Sequence, residues 1–332
     1  MTVTTRFAPL LERFFTQRLM TQRCVSPNTI ASYRDTFCLL LRFAQQQLKK
    51  EPANIALSDI DAPFVSAFLD DLEKSRGVTA RSRNLRLTAI RSFFRYTAYY
   101  QPAQGEQIQR VLAIPSKRQD QPLVCFLSRV EVDALLTAPN LSVWHGRRDH
   151  ALLWVACQTG LRVSEITGLR CSDLELGPGA HLRCKGKGRK ERCTPLTTQT
   201  VNVLKAWLKE PVRGDLEYLF PTVHGSRMSA DAVQYLVIKH IAVAQLKCPS
   251  LKNKQVSPHV MRHTAAMRLL EAGVDVSVIA LWLGHESIKT TQLYLDAHLA
   301  LKEAALAKTE PFNGKVNRFR PDDDLLQFLK NL

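Results

Sequence analysis

The stretch HVMRH at residues 259–263, followed by LGH at 283–285 and a lone phenol at Tyr294, decides how this chain reads. It gathers two histidines, an arginine and a tyrosine in one short segment, and a second arginine, Arg162, stands upstream in TGLRVSE at 159–165. Two guanidinium forks match the oxygens of a phosphate, imidazoles can move its protons, and a tyrosine can hold a phosphoryl group covalently. In a basic chain that combination implies phosphoryl transfer on DNA.

The surrounding composition agrees. The chain has 332 residues and 45% hydrophobic content, enough for two globular domains of ordinary size or one large one. Its formal net charge of +16 makes a polyanion the expected partner, although charge alone reports on non-specific attraction rather than fold. The eight cysteines are scattered with no CxxC pair, so neither a zinc ribbon nor a thioredoxin-like site is indicated. Glu12, Arg13 and Arg18 interrupt the first twenty positions, and no apolar run reaches the length of a membrane span. A cytoplasmic protein with reduced thiols and no membrane partner is expected.

Working outward, the first third reads as helices. Ser26-Pro27 starts one that carries Ile30, Tyr33, Phe37, Leu40, Leu41 and Ala44 at helical spacing. Asp61 caps a second with an apolar face of Phe64, Phe68 and Leu72, and a third spans about Thr79 to Tyr99 with Leu87, Ile90, Phe94 and Thr97 on one stripe. Arg81, Arg83, Arg86, Arg91 and Arg95 lie mostly off that stripe. Such arginines are ordinarily a solvated face; beside the C-terminal motifs they become a DNA-binding surface. Residues 101–125, rich in glutamine and punctuated by proline and glycine, read as linker, with the domain boundary near 115–122. Beyond it, Ser128 and Glu131 form a capping box, a helix runs through Asp149–Gln158, and AHLRC and ERCTPL flank the turn KGKGRK as an antiparallel hairpin at 180–196. Helices follow at about 197–209, at 229–247 and from His259 onward.

TGLRVSE at 159–165, GKGRKER at 186–192, HVMRH at 259–263 and LLEAGVDVSVIALWLGHESIKTTQLY at 269–294 together resemble the tyrosine recombinases of the phage-integrase and Xer-like family. The match keeps its order across roughly residues 125–300, which no single short motif supplies. It implies a mainly α fold with a small antiparallel β-hairpin or sheet, arranged as a two-domain DNA clamp. A helical, SAM-like core-binding domain would occupy 1–115, a linker 116–124 and a mixed α/β catalytic domain 125–310. The tail at 311–332 would end in a helix whose Leu325, Leu326, Phe328, Leu329 and Leu332 either fold back on their own domain or, as the resemblance implies, dock on a neighbouring protomer.

The resemblance also implies roles. Tyr294 would attack the scissile phosphate, leaving a 3′-phosphotyrosyl link and a free 5′-hydroxyl, with no ATP required. Arg162 and Arg262 would hold the non-bridging oxygens. Lys187 would protonate the leaving oxygen, His259 would assist proton removal from Tyr294, and His285 would donate a hydrogen bond to phosphate. Glu165 would orient the arginines and His263 would brace its helix. Cationic side chains replace a divalent ion in this scheme, so neither metal nor cofactor is implied. His259 and His263 sit at zinc-ligand spacing, but HExxH requires Glu where Val260 stands.

The expected partners are double-stranded DNA and further copies of the chain, two per site and four in a synapse, or related recombinases in their place. A long linker and tail favour a recombinase of a mobile element, acting in integration or transposition, over a housekeeping Xer protein. Two alternatives remain: a non-catalytic architectural DNA-binding relative, which the complete set of catalytic residue types disfavours, and a type IB topoisomerase-like relaxation activity.

Overall fold

The computed structural model describes residues 5–119, 124–186, 191–210, 217–285, 290–292 and 294. Lys187 and the tail at 311–332, with Leu325, Leu326, Phe328, Leu329 and Leu332, lie outside the described residues. The chain divides into two compact units, Met1–Gln121 and Pro122–Leu332.

The first unit is helical. Helix α1 (Phe7–Arg13) continues as a π-helical stretch over Phe14–Gln22, and α2 (Pro27–Leu48), α3 (Ala62–Arg76), α4 (Ala80–Thr97) and α5 (Gly105–Ala113) follow. Polar caps fix three of the starts, as their sequence positions predict. Ser26 Oγ accepts from Thr29 N at 3.2 Å, the Asp61 carboxylate from Phe64 N at 2.8 Å, and Thr79 Oγ1 from Ser82 N at 3.3 Å. Aromatic rings fill the core: the centroids of Phe7, Phe14 and Phe37 lie 4.9, 5.6 and 5.4 Å from that of Phe93.

One expectation is corrected here. Part of the stretch at 101–125 is not linker but α5, which packs on α3 and α4. Its Ile108 and Val111 are buried in the core, and Gln107 Nε2 donates to the carbonyl of Leu57 at 2.7 Å. Nine residues between Gly105 and the extended Ile114 offer only two apolar repeats, too few to stand out among glutamines. The chain after α5 is also anchored, since the Asn84 amide donates to Lys117 O at 2.8 Å and accepts from Lys117 N at 3.0 Å.

The second unit contains α6 (Arg129–Leu136), α7 (Trp144–Thr159) and α8 (Val163–Gly168). Strands β1 (Leu174–Glu175), β2 (His181–Lys185) and β3 (Glu191–Pro195) follow, then α9 (Thr198–Leu208), α10 (Ala230–Lys247), α11 (Pro258–Glu271) and α12 (Val276–Leu283). The strands form an antiparallel sheet in the order β1-β2-β3, with Cys184 opposite Arg192 and Lys185 opposite Glu191. The expected capping box is present: Ser128 N donates to Glu131 Oε2 at 2.8 Å and Ser128 Oγ accepts from Glu131 N at 3.3 Å. Helix α7 begins five residues before the expected Asp149. It buries Ala151, Leu152, Leu153, Val155, Ala156 and Cys157, packing between α9 and α11, so its C-terminus is set firmly against α11. All eight cysteines are free. Among the described residues, no helix is long and apolar enough to cross a membrane.

Candidate active site

The site is assembled around the C-terminal turn of α12. A helix ends with carbonyls that have no intrahelical partner and with the negative end of its dipole. Here three successive carbonyls each accept from a different arginine. Arg192 Nε donates to Trp282 O at 3.1 Å, Arg262 Nη2 to Leu283 O at 2.6 Å, and Arg162 Nη2 to Gly284 O at 3.1 Å. Three guanidiniums thereby converge on one turn.

Local sequence explains each placement. Helix α7 stops at Gly160, whose φ of +64° is a left-handed cap that favours glycine. A Cβ there would also lie 2.8 Å from Leu283 Cδ2 and 3.0 Å from Ala265 Cβ, so α7, α11 and α12 meet only because the position is bare. Gly160 O accepts from Arg262 Nη1 at 2.8 Å, and two residues on, Arg162 caps the short helix α8. Pro258 and the Ser257 cap start α11, so His259, Arg262 and His263 fall three and four residues apart on one face. Gly284, at φ +64°, ends α12, and a Cβ on it would meet Arg192 Nη1 at 2.8 Å.

Glu165 ties the arginines together. Its carboxylate accepts from Arg162 Nη1 at 3.0 Å and from Arg162 N at 2.8 Å. Arg192 adds two bonds, Nη1 to Oε1 at 3.1 Å and Nη2 to Oε2 at 2.7 Å, a bidentate fork. Burial alone would raise the Glu165 pKa, but the hydrogen bonds of Arg192 and the Arg162 backbone, with the charges of both guanidiniums, hold it below the usual carboxylate range. Arg262 is 2% exposed. Burial first, then repulsion from Arg162, lowers its pKa to about 10, which leaves it charged at neutral pH.

The imidazoles and the phenol complete the cluster. His285 Nδ1 and Thr291 Oγ1 lie 2.8 Å apart, and the His285 ring stacks parallel to that of Tyr294 with centroids 6.4 Å apart. Tyr294, 3% exposed, packs on Met267, Leu270, Ile279 and Leu283, and its hydroxyl lies 3.0 Å from His263 Nδ1. The histidine given a bracing role by sequence is therefore the one that touches the phenol. His259 is exposed, with its ring 4.4 Å from that of His263. Burial, followed by neighbouring positive charge, lowers His285 and His263 to about 4, so both rings are neutral at pH 7. Burial raises the Tyr294 pKa against the opposing pull of Arg262 and Arg162.

Of the six expected catalytic residues, Arg162, Arg262, His285 and Tyr294 converge, and His259 lies beside them on the exposed face of α11. Lys187 lies outside the described residues; Lys185 at the end of β2 pairs with Glu191 at 3.3 Å. Sequence reasoning missed Arg192, Thr291 and Trp282, whose indole donates to Thr159 O at 3.0 Å. A signal for Arg192 existed. Closing the hairpin on KGKGRK puts position 192 opposite Cys184 on the covered face, where an arginine needs a buried anion.

In the first unit, Arg81 and Arg95 are exposed and Arg83 is buried 3.7 Å from Glu73. Arg86 and Arg91 are half-buried; Arg86 donates to Thr36 at 3.2 Å and Arg91 to Ile114 O and Ser116. No group of three or more metal-ligating side chains occurs among the described residues.

A buried tyrosine, clustered guanidiniums and neutral imidazoles on a mainly helical two-unit scaffold make an arrangement able to hold a phosphate and move its protons. Residues 126–300 match the phage integrase family and residues 11–99 match the phage integrase N-terminal SAM-like domain. The chain is 62% identical to the putative integrase/recombinase y4rC of Sinorhizobium fredii (strain NBRC 101917 / NGR234) over the full length of both. It is 34% identical to tyrosine recombinase XerD of Yersinia pestis, covering 86% of this chain and 92% of that one. In fold it resembles XerH recombinase bound to a palindromic difH substrate, with a TM-score of 0.67 and 22% identity over 84% of this chain and 79% of that chain. A lambda integrase dimer bound to a COC′ core site gives a TM-score of 0.64 and 17% identity over 95% of this chain and 81% of that chain. The chain belongs to the phage integrase family of tyrosine recombinases.

Proposed function

We propose that this protein is a site-specific recombinase that cuts and rejoins double-stranded DNA through a 3′-phosphotyrosyl intermediate. The observation that carries the proposal is the convergence of Arg162, Arg262, His285 and Tyr294 on one helix turn. The Tyr294 oxygen attacks the scissile phosphorus, the bond to the 5′-oxygen breaks, and that oxygen takes a proton from Lys187. The phenol proton passes to the histidine pair: His263 touches the hydroxyl and His259 stands one turn away on the exposed side. An incoming phosphate brings negative charge beside both rings and raises their basicity. Arg162 and Arg262 exchange carbonyl partners for the non-bridging oxygens and offset the charge that accumulates in the pentacoordinate transition state. With the Thr291 hydroxyl donating to Nδ1, His285 keeps its proton on Nε2 and donates it in a hydrogen bond to phosphate. A free 5′-hydroxyl from a partner duplex reverses the step, so no ATP is consumed.

The first unit binds the same DNA and presents Arg81 and Arg95 to phosphate. Two copies occupy each site and four form the synapse. Resemblance over its full length to an integrase/recombinase supports a role in moving a genetic element. The test begins with a pool of nicked duplexes of randomised core sequence, incubated with the protein in excess chelator. Adducts that survive denaturing detergent should be recovered from wild type and lost completely in Tyr294→Phe. Their absence with wild type, or their retention in the phenylalanine variant, overturns the proposal.

A further inference from the structure

Arg192 has no assigned role, yet beside Arg162 it is the second described side chain that bonds both the carboxylate of Glu165 and the α12 turn. Its guanidinium spends two N–H groups on the two oxygens of Glu165 and its Nε on Trp282 O, so three of its five donors hold protein groups. Its Nη1 lies against Gly284, the residue whose carbonyl holds Arg162 and whose chain leads straight into His285. Glu165 in turn holds Arg162 by side chain and backbone. Arg192 also sits on β3, paired across the sheet with Cys184, so it joins the hairpin rigidly to this cluster.

We infer that Arg192 is a positioning residue for strand transfer: by clamping Glu165 to the α12 turn, it fixes the Arg162 guanidinium and the His285 imidazole relative to one another. The inference rests on the strand-transfer reading for its consequence, but the clamp itself exists without DNA. Lysine cannot replace it, because one ammonium cannot span two carboxylate oxygens and a carbonyl on the far side. Misplacing a phosphate-binding group by about 1 Å can cost on the order of 100-fold in rate.

Three measurements on the full chain test this. In single-turnover cleavage of a duplex recovered as above, Arg192→Gln should slow adduct formation by about 10- to 100-fold. The fraction of protein that finally reacts should stay unchanged, whereas mere misfolding would lower the amplitude and leave the rate of the remainder intact. Should Arg192→Gln fold poorly because Glu165 keeps an unpaired charge, the Glu165→Gln/Arg192→Gln double variant removes that charge. Acting through Glu165, Arg192 should add no further rate loss beyond the Glu165→Gln single variant; multiplying losses would overturn the inference. The third measurement needs no DNA. NMR titration of His285 in Arg192→Lys should move its pKa up from about 4 toward the ordinary imidazole value as the turn loosens. An unchanged His285 titration, or a wild-type cleavage rate in Arg192→Gln, overturns the clamp. Wild-type protein that forms no adduct while His285 still shifts would count against the strand-transfer reading and leave the clamp standing.

Discussion

Two groups of arginines in this molecule begin alike and end differently. Both α4 and the catalytic cluster bury guanidiniums, and both use backbone carbonyls and a glutamate as partners. On α4 the partnering is incomplete: among the described residues, Nε of Arg83, Arg86 and Arg91 and Nη1 of Arg83 are buried with no hydrogen-bond partner. In the catalytic unit, Arg162 and Arg192 share Glu165, and with Arg262 they hold four carbonyls. Where charge must meet a transition state, the groups are held before the ligand arrives, which is what electrostatic preorganisation requires. The exposed Arg81 and Arg95 of α4, which we propose meet phosphate, need no such network, because attraction to a polyanion is long-ranged and tolerant of position.

The sharpest way to break that contrast is one substitution made in both places. Arg262→Lys keeps the charge but loses the fork that bridges Gly160 O and Leu283 O. Single-turnover adduct formation should fall about 100- to 1000-fold, the range seen when one preorganised donor to developing charge is removed. Arg95→Lys, on the exposed side of α4, should change that rate less than about threefold, since an exposed lysine serves phosphate as a point charge. Comparable losses at the two positions would erase the distinction.

A second contrast is in titration. All nine histidines and all four tryptophans lie beyond residue 121, so tryptophan fluorescence reports the catalytic unit alone. His263 and His285 are lowered to about 4 by burial, from an ordinary value of 6.5. Between those values the unfolded chain binds protons that the folded unit refuses, so stability falls as pH drops from 6.5 toward 4 and levels off below. Glu165, depressed in the folded state, adds a loss at still lower pH as it protonates. The fluorescence melting temperature should therefore decline across that window, and His285→Asn should flatten the decline. A melting temperature flat from pH 7 to pH 4 in wild type would show that the rings are not protected.

How much of this could be read in the sequence follows from how local each interaction is. Ser26, Asp61, Thr79 and Ser128 cap helices through residues three positions away, and the hairpin closes on its own turn, so all were legible. The arginines proposed to be catalytic were legible because family motifs carry them, not because spacing forces them together: Arg162 reaches Gly284 across more than a hundred positions. The contact between His263 and Tyr294 depends on where Tyr294 packs against α11, and helical spacing alone cannot choose between His259 and His263. Helix α5 was hidden by brevity. Arg192 stood inside a quoted motif but declared its function only through Glu165 and Trp282, which are remote from it in sequence.

The smallest effect expected belongs to the first unit and divides its arginines by exposure. Each phosphate contact made by an exposed cation contributes about one to the slope of log affinity against log salt. Replacing Arg81 and Arg95 together by alanine should then reduce that slope by about two while leaving the unit's folding unchanged. Arg83 is the counterexample within the same helix. Its side chain is 6% exposed and 3.7 Å from Glu73, so alanine there should leave the slope alone and instead destabilise the unit, because Glu73 loses a buried partner. Filter-binding titrations across a series of salt concentrations, beside thermal melts by circular dichroism, separate the two outcomes. If Arg83→Ala lowers the slope and Arg81→Ala/Arg95→Ala does not, the DNA-facing side of α4 is the side turned toward α3, and the assignment of its exposed arginines to phosphate fails.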